Sequence, residues 1–126
     1  MNYIWVKLIT YVCLAQGLYF AVTGIWPLLS IRTFQMVTGR KTDLWLVKTV
    51  GVLVSVIGCV LIVTALRGNI TLEISLLAVG SAAGLAGIDV MYVTKRRISP
   101  IYLLDALIEI ALIATWLLGS INNQVR

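Results

Sequence analysis

Four apolar runs, each long enough to cross a bilayer, dictate what this chain can become. They extend from Leu8 to Leu29, Leu44 to Leu66, Leu72 to Val93 and Ile101 to Ile121. An α-helix rises ~1.5 Å per residue, so ~20 apolar residues cover the ~30 Å of hydrocarbon in a membrane. Helices are the only open-chain structure that satisfies every backbone N–H and C=O at that depth. The sequence therefore predicts an all-α, integral membrane four-helix bundle of up-down topology, with residues 1–126 forming one domain. Pro27 falls near the end of the first run and Pro100 at the start of the fourth, where a missing N–H is tolerated. The first run is too long for a signal-peptide core and no A-x-A-like site follows it, so it is expected to stay as a span.

Composition points the same way. Hydrophobic residues make up 60% of the chain and charged residues only 12%, whereas soluble domains carry about 25% charged residues. A chain of 126 residues cannot hide that much apolar surface in its own core. The net charge of +5 would suggest nucleic acid in a soluble protein. Here the basic residues cluster between the spans, so the expected partner is the lipid bilayer with its anionic headgroups, and no nucleic acid. One side carries Arg32, Arg40, Lys41, Lys95, Arg96 and Arg97, and the other Lys7, Arg67 and Arg126. By the positive-inside rule this bias of six to three puts both basic loops in the cytoplasm and both termini outside. The glycosylation match Asn69-Ile70-Thr71 lies in a loop too short for ready modification, and we read it as chance.

Four charges lie a full turn or more inside the spans: Lys48, Asp89, Asp105 and Glu109. A charge at the centre of a bilayer costs roughly 2.5–3.5 kcal/mol on insertion scales, so such residues pair, reach water or carry function. Lys48, Asp89 and Asp105 each lie about one turn from the basic end of a span, ~6 Å deep, and Glu109 lies ~12 Å deep. Asp105 and Glu109, spaced i,i+4, project from one helix face. Two readings stay open. In a structural network, Lys48, Asp89 and Asp105 pair with one another or with Arg96 and Arg97; Asp89 and Arg96 share a helix face at a spacing of seven. In a ligand or proton site, Glu109 is the candidate to carry a proton or take up a cation, with Asp105, Asp89 and Lys48 around it.

Small residues suggest the packing. The second span aligns Gly51, Ser55 and Gly58 with Lys48, and the first contributes Gln16, Gly17 and Gly24. The third holds Gly80, Gly84 and Gly87, with Asp89 half a turn away among Ser75, Ala78, Ala82 and Ala86. Packing within the bundle is the default use of the Gly80 stripe, and a homodimer through it is the alternative.

Other chemistries are argued down. The chain has no histidine, and Cys13 and Cys59 form no C-x-x-C and are expected to be buried free thiols. The acids lack a D-x-x-D spacing, so no metal site, cofactor or catalytic residue is assigned. Trp5, Trp26, Trp45 and Trp116 lie near span ends and are expected to be interfacial anchors. Thr42 or Asp43 suits the N-cap of the second span. Arg40 and Lys41, with Arg96 and Arg97 of the other basic loop, are candidates for binding lipid headgroups.

The segments V-T-G-R-K-T-D-L-W-L-V-K-T-V-G at 37–51, I-D-V-M-Y-V at 88–93 and S-P-I-Y-L-L-D-A at 99–106 resemble small uncharacterised bacterial four-span membrane proteins. More distantly, the layout is similar to DoxX-like membrane proteins. That resemblance implies a bacterial inner-membrane location and no particular reaction. Small multidrug exporters share the span number, but their essential glutamate lies in the first span, where this chain has no acid. The resulting expectation is an accessory or structural membrane subunit with a buried charged network, serving another membrane protein or a second copy. The alternative is a small transporter or a lipid- or cation-binding protein using the acidic site. An enzyme acting on headgroups ranks third.

The topology is testable by cysteine tagging at Gly39 and Asn123 in intact cells. Gly39→Cys should react only from the cytoplasm and Asn123→Cys from outside; the opposite pattern reverses the orientation.

Overall fold

The computed structural model describes residues 2–124, with side chains over 3–121. Arg126, counted above on the less basic side, lies outside the described residues. All regular structure in the described residues is helical: α1 (Asn2–Leu29), α2 (Ile31–Thr38), α3 (Leu44–Arg67), α4 (Leu72–Thr94) and α5 (Tyr102–Gln124). Four of these, all but α2, are long and apolar enough to span a membrane, which defines a multi-pass helical membrane protein.

The helix limits follow local chemistry. α1 begins six residues before the first apolar run, because Lys7 ends hydrophobicity without ending helical backbone. α3 stops at Gly68, whose φ of 72° is the left-handed conformation that closes a helix at little cost to glycine. Thr71 opens α4, its hydroxyl accepting from Ile74 N–H at 3.3 Å. Asp43 does hold the N-cap position of α3, but its side chain makes no capping bond there; its backbone carbonyl accepts from Leu46 and Val47.

The short helix α2 occupies part of the basic loop between the first two spans. Its start was legible in Ser30, whose side chain accepts from Thr33 N–H at 3.3 Å. Trp26 holds α2 against α1. The indole N–H donates to Thr33 Oγ1 at 3.0 Å, and the ring meets Phe34 edge-on at 5.2 Å.

The tightest packing joins α1 to α3 along the glycines expected from sequence. A methyl group built on Gly58 would lie 2.5 Å from Ala21 N and 2.7 Å from Gly17 O. One built on Gly24 would lie 2.7 Å from Gly51 O. The two backbones therefore touch, the geometry that small residues permit between membrane helices. α4 packs on α5 through its alanine face: Ala78, Ala82, Ala86 and Asp89 are buried. The other α4 stripe behaves differently from its default reading. Gly80, Gly84 and Gly87 are exposed, and nothing lies within 4 Å of the Cβ positions they lack.

The apolar core sits at the end away from the basic loops, where Ile9, Val12, Leu61, Ala65, Ala78 and Trp116 meet. Trp116 corrects the expectation of an interfacial anchor. It is wholly buried, because its position on α5 faces α1 and its N–H has a partner there. Cys59 corrects another: it is exposed on α3, while only Cys13 is buried, its thiol donating to Leu61 O at 3.2 Å. Toward the basic end the bundle opens. α3 has little contact with α4 and still less with α5, so a gap separates them there.

Adding a side chain to the α1–α3 seam should be far costlier than adding one to the open α4 stripe. Gly58→Leu is expected to lower stability by roughly 2–3 kcal/mol or prevent folding, and Gly84→Leu to leave it unchanged. Thermal unfolding in detergent measures both; equal effects would contradict the seam.

Candidate functional site

The site is the gap at the basic end, a cavity of about 550 Å³ between α1, α3 and α5. α2 and Lys41 line its mouth. Its size falls in the range of small-molecule sites. The walls are apolar, with Phe20 from α1, Val50 and Val54 from α3, Leu85 from α4 and Ile108 from α5. Its polar part comes mainly from α1 and α5. Tyr19 and Thr23 stand on α1, and Asp105 and Glu109 face them from α5.

The i,i+4 spacing puts Asp105 and Glu109 on one helix face, as the sequence indicated. The Tyr19 hydroxyl donates to Asp105 Oδ1. Asp89 approaches from α4, within electrostatic reach of Asp105, Glu109 and Tyr19. Three acids thus converge from two helices, and Tyr19 is a member that the sequence reading missed. Its signal was present but weak: a tyrosine three residues after Gln16, on the face that buries Gln16.

Satisfaction of these groups is uneven. Glu109 is 1% exposed, yet neither of its carboxylate oxygens has a hydrogen-bond partner. Asp89 is 6% exposed, and its Oδ2 also lacks one. Buried polar atoms are normally paired, and each exception needs an explanation.

Away from the basic end, just beyond the acids, a second buried polar group is fully satisfied. Gln16 donates from Nε2 to Ala78 O at 2.9 Å and accepts from Trp116 Nε1–H at 2.7 Å. This amide ties α1, α4 and α5 together in the apolar half.

Lys48 does not join the acids. It is exposed, and it makes no ion pair. On α3 it lies beyond Gly51, the last glycine of the α1–α3 seam, and it does not line the cavity that Asp105 and Glu109 share. Its long side chain is free to extend toward the interface. Arg96 and Arg97 do not reach Asp89 either. α4 ends at Thr94 and Arg96 turns to a φ of 58°, so the helical periodicity that put Asp89 and Arg96 on one face stops before Arg96. Arg40, Arg96 and Arg97 are exposed at the basic end.

Lys41 is turned inward. Its ammonium lies 4.9 Å from the Tyr102 ring centroid and 5.5 Å from that of Phe34. The ammonium also donates to Gly39 O at 3.2 Å and Thr38 O at 3.4 Å. The backbone N–H of Lys41 donates to Gln35 Oε1 at 2.9 Å, which fixes the turn after α2. Lys41 is therefore engaged within the protein rather than held out toward headgroups.

No protein family, curated protein or solved structure matches this chain in comparisons with each. The chemistry must be read from the site itself. An apolar chamber with two acids in its polar wall and a third behind them, without a cation among them, can accept positive charge.

The two buried polar clusters should respond differently to substitution. Gln16→Leu strands the Trp116 N–H and should cost roughly 1–3 kcal/mol. Glu109→Gln replaces an unpaired buried acid by a neutral amide and should leave unfolding temperature unchanged or raise it. Thermal unfolding in detergent distinguishes them; a clear loss for Glu109→Gln would place Glu109 in a structural network.

Proposed function

We propose that this chain is a small cation-binding membrane protein, a carrier or a lipid-binding protein, whose ligand occupies the cavity against Glu109. The observation that carries this reading is Glu109 itself, buried on the cavity wall with both oxygens unpartnered. A structural ion network would need a cation among the acids. Lys48 is exposed, Lys41 lies on aromatic rings, and Arg96 and Arg97 are exposed past the end of α4. The acids keep a binding capacity that the fold does not use, as expected where function overrides stability.

The reading includes a location. Six basic residues on the two loops against three on the other side support a cytoplasmic basic end and termini outside. The layout similar to DoxX-like proteins supports a bacterial inner membrane. The cavity then opens toward the cytoplasmic leaflet, where exposed Arg40, Arg96 and Arg97 meet anionic headgroups.

A hydrophobic carbodiimide tests the site without knowledge of the ligand, because it seeks carboxyl groups in apolar, membrane-embedded surroundings. Treatment with dicyclohexylcarbodiimide in membranes should modify Glu109, as mapped by mass spectrometry, and Glu109→Gln should abolish that label. An unmodified Glu109 under conditions that label other membrane carboxyls would overturn the reading.

A further inference from the structure

We infer that the ligand is an organic monocation with an apolar body, a protonated amine or quaternary ammonium, received at an aromatic mouth and held by Glu109. This rests on the cation-site reading above and narrows it to one chemical class.

The first argument is the balance between walls and acids. A hard metal ion takes six or more oxygen ligands, or keeps several waters where the protein supplies fewer. Among the described residues, no group of three or more acidic, histidine or cysteine side chains is placed to hold a metal ion. Only Asp105 and Glu109 of the three acids line the cavity, and Asp105 already accepts from Tyr19. The remaining lining is mostly aliphatic and aromatic, a poor replacement for a hydration shell. Around an organic cation the same walls bury apolar surface, which is favourable in proportion to the area removed from water. One charge of the ligand then meets one free carboxylate.

The second argument comes from Lys41. The mouth already holds a cation of the inferred class: an ammonium on the faces of Phe34 and Tyr102, with two backbone carbonyls as acceptors. Rings and carbonyls in this arrangement bind ammonium groups by cation–π attraction and hydrogen bonding. Lys41 is tethered by its own chain, whereas Glu109, one helical turn beyond Asp105 along α5, has no such occupant. A free ammonium displacing Lys41 from the rings passes from one cation-binding station to the next along α5. Tyr102, Asp105 and Glu109 mark the route at spacings of three and four, on one helix face.

The third argument is access. α3 and α5 barely touch, and the side chains facing across that gap are Val47, Val50 and Val54 on one side and Leu104 and Ile108 on the other. An amphiphilic cation dissolved in the leaflet meets an apolar entrance there, with its charge at the level of the mouth.

Glu109 protection from dicyclohexylcarbodiimide supplies the test on unmodified protein in nanodiscs of phosphatidylglycerol. Tetraphenylphosphonium, an apolar monocation, should protect Glu109 saturably, while its anionic counterpart tetraphenylborate and Mg²⁺ or Ca²⁺ should not. Protection by either metal at millimolar concentration, or equal protection by tetraphenylborate, overturns the inference while leaving a reactive site in place. Absence of any labelling instead removes the underlying reading. Nanodiscs containing phosphatidylethanolamine distinguish sources: protection without added cation assigns the ammonium to a lipid headgroup, and protection only by added cation assigns it to a free ligand. Direct binding of tetraphenylphosphonium should weaken about ten-fold or more in Glu109→Gln. Tyr102→Leu, which removes a ring without touching an acid, should weaken it by about two- to five-fold. Unchanged affinity in both variants also overturns the inference.

Discussion

Backbone contact between α1 and α3 is the constraint from which the rest of the architecture follows. Lipid offers no hydrophobic drive to bring two apolar helices together, so close van der Waals fit must do it. Gly17 and Gly24 on α1 meet Gly51 and Gly58 on α3, each pair seven residues apart, and a Cβ at any of the four would collide with the facing helix. Once α1 is drawn against α3 and also packs on α5, it stands between them. α3 and α5 are then left apart at the basic end, and the space they do not close becomes the cavity.

A second interaction sets what that cavity contains. The Gln16 amide accepts from Trp116 and donates to Ala78, fixing the depth of α5 and α4 relative to α1. Trp116 and Glu109 are seven residues apart on α5 and so share its inward face. On α1, Tyr19 follows Gln16 by three and meets Asp105. Anchoring one layer of polar contacts in the apolar half thus aligns the next layer in the open half. The two layers differ in one respect that matters for function. The Gln16 layer satisfies its side-chain groups and holds helices together, whereas the acidic layer leaves three carboxylate oxygens without a partner. Buried polar groups that stabilise a fold resemble the first layer, whereas unpaired ones are exceptions to the usual pairing of buried polar atoms.

The four spans were legible because lipid imposes a simple length and polarity rule on sequence. The glycines of the α1–α3 seam were legible as a small-residue pattern, and the inward set of Ala78, Ala82, Ala86 and Asp89 as a helix face. α2 was missed because eight amphipathic residues between two spans carry no membrane signature and resemble a polar loop. Trp116 was misplaced because closeness to the end of an apolar run says nothing about which way a side chain faces.

The sequence by itself determined the class of protein, the number of spans, the uneven distribution of basic residues and the convergence of acids toward one end. Those follow from composition and helical periodicity, which are properties of the chain alone. The tertiary structure decided which charges meet. Lys48 shares a stripe with Gly51 and Gly58 yet remains exposed, outside the lining of the cavity that holds Asp105 and Glu109. Asp89 and Arg96 have helical spacing yet stay apart, because α4 ends between them. Periodicity gives the direction of a side chain along one helix, while partnership depends on where that helix ends and on how its neighbours pack against it. That difference separates the basic residues from the acids and leaves Asp105 and Glu109 on the wall of the cavity.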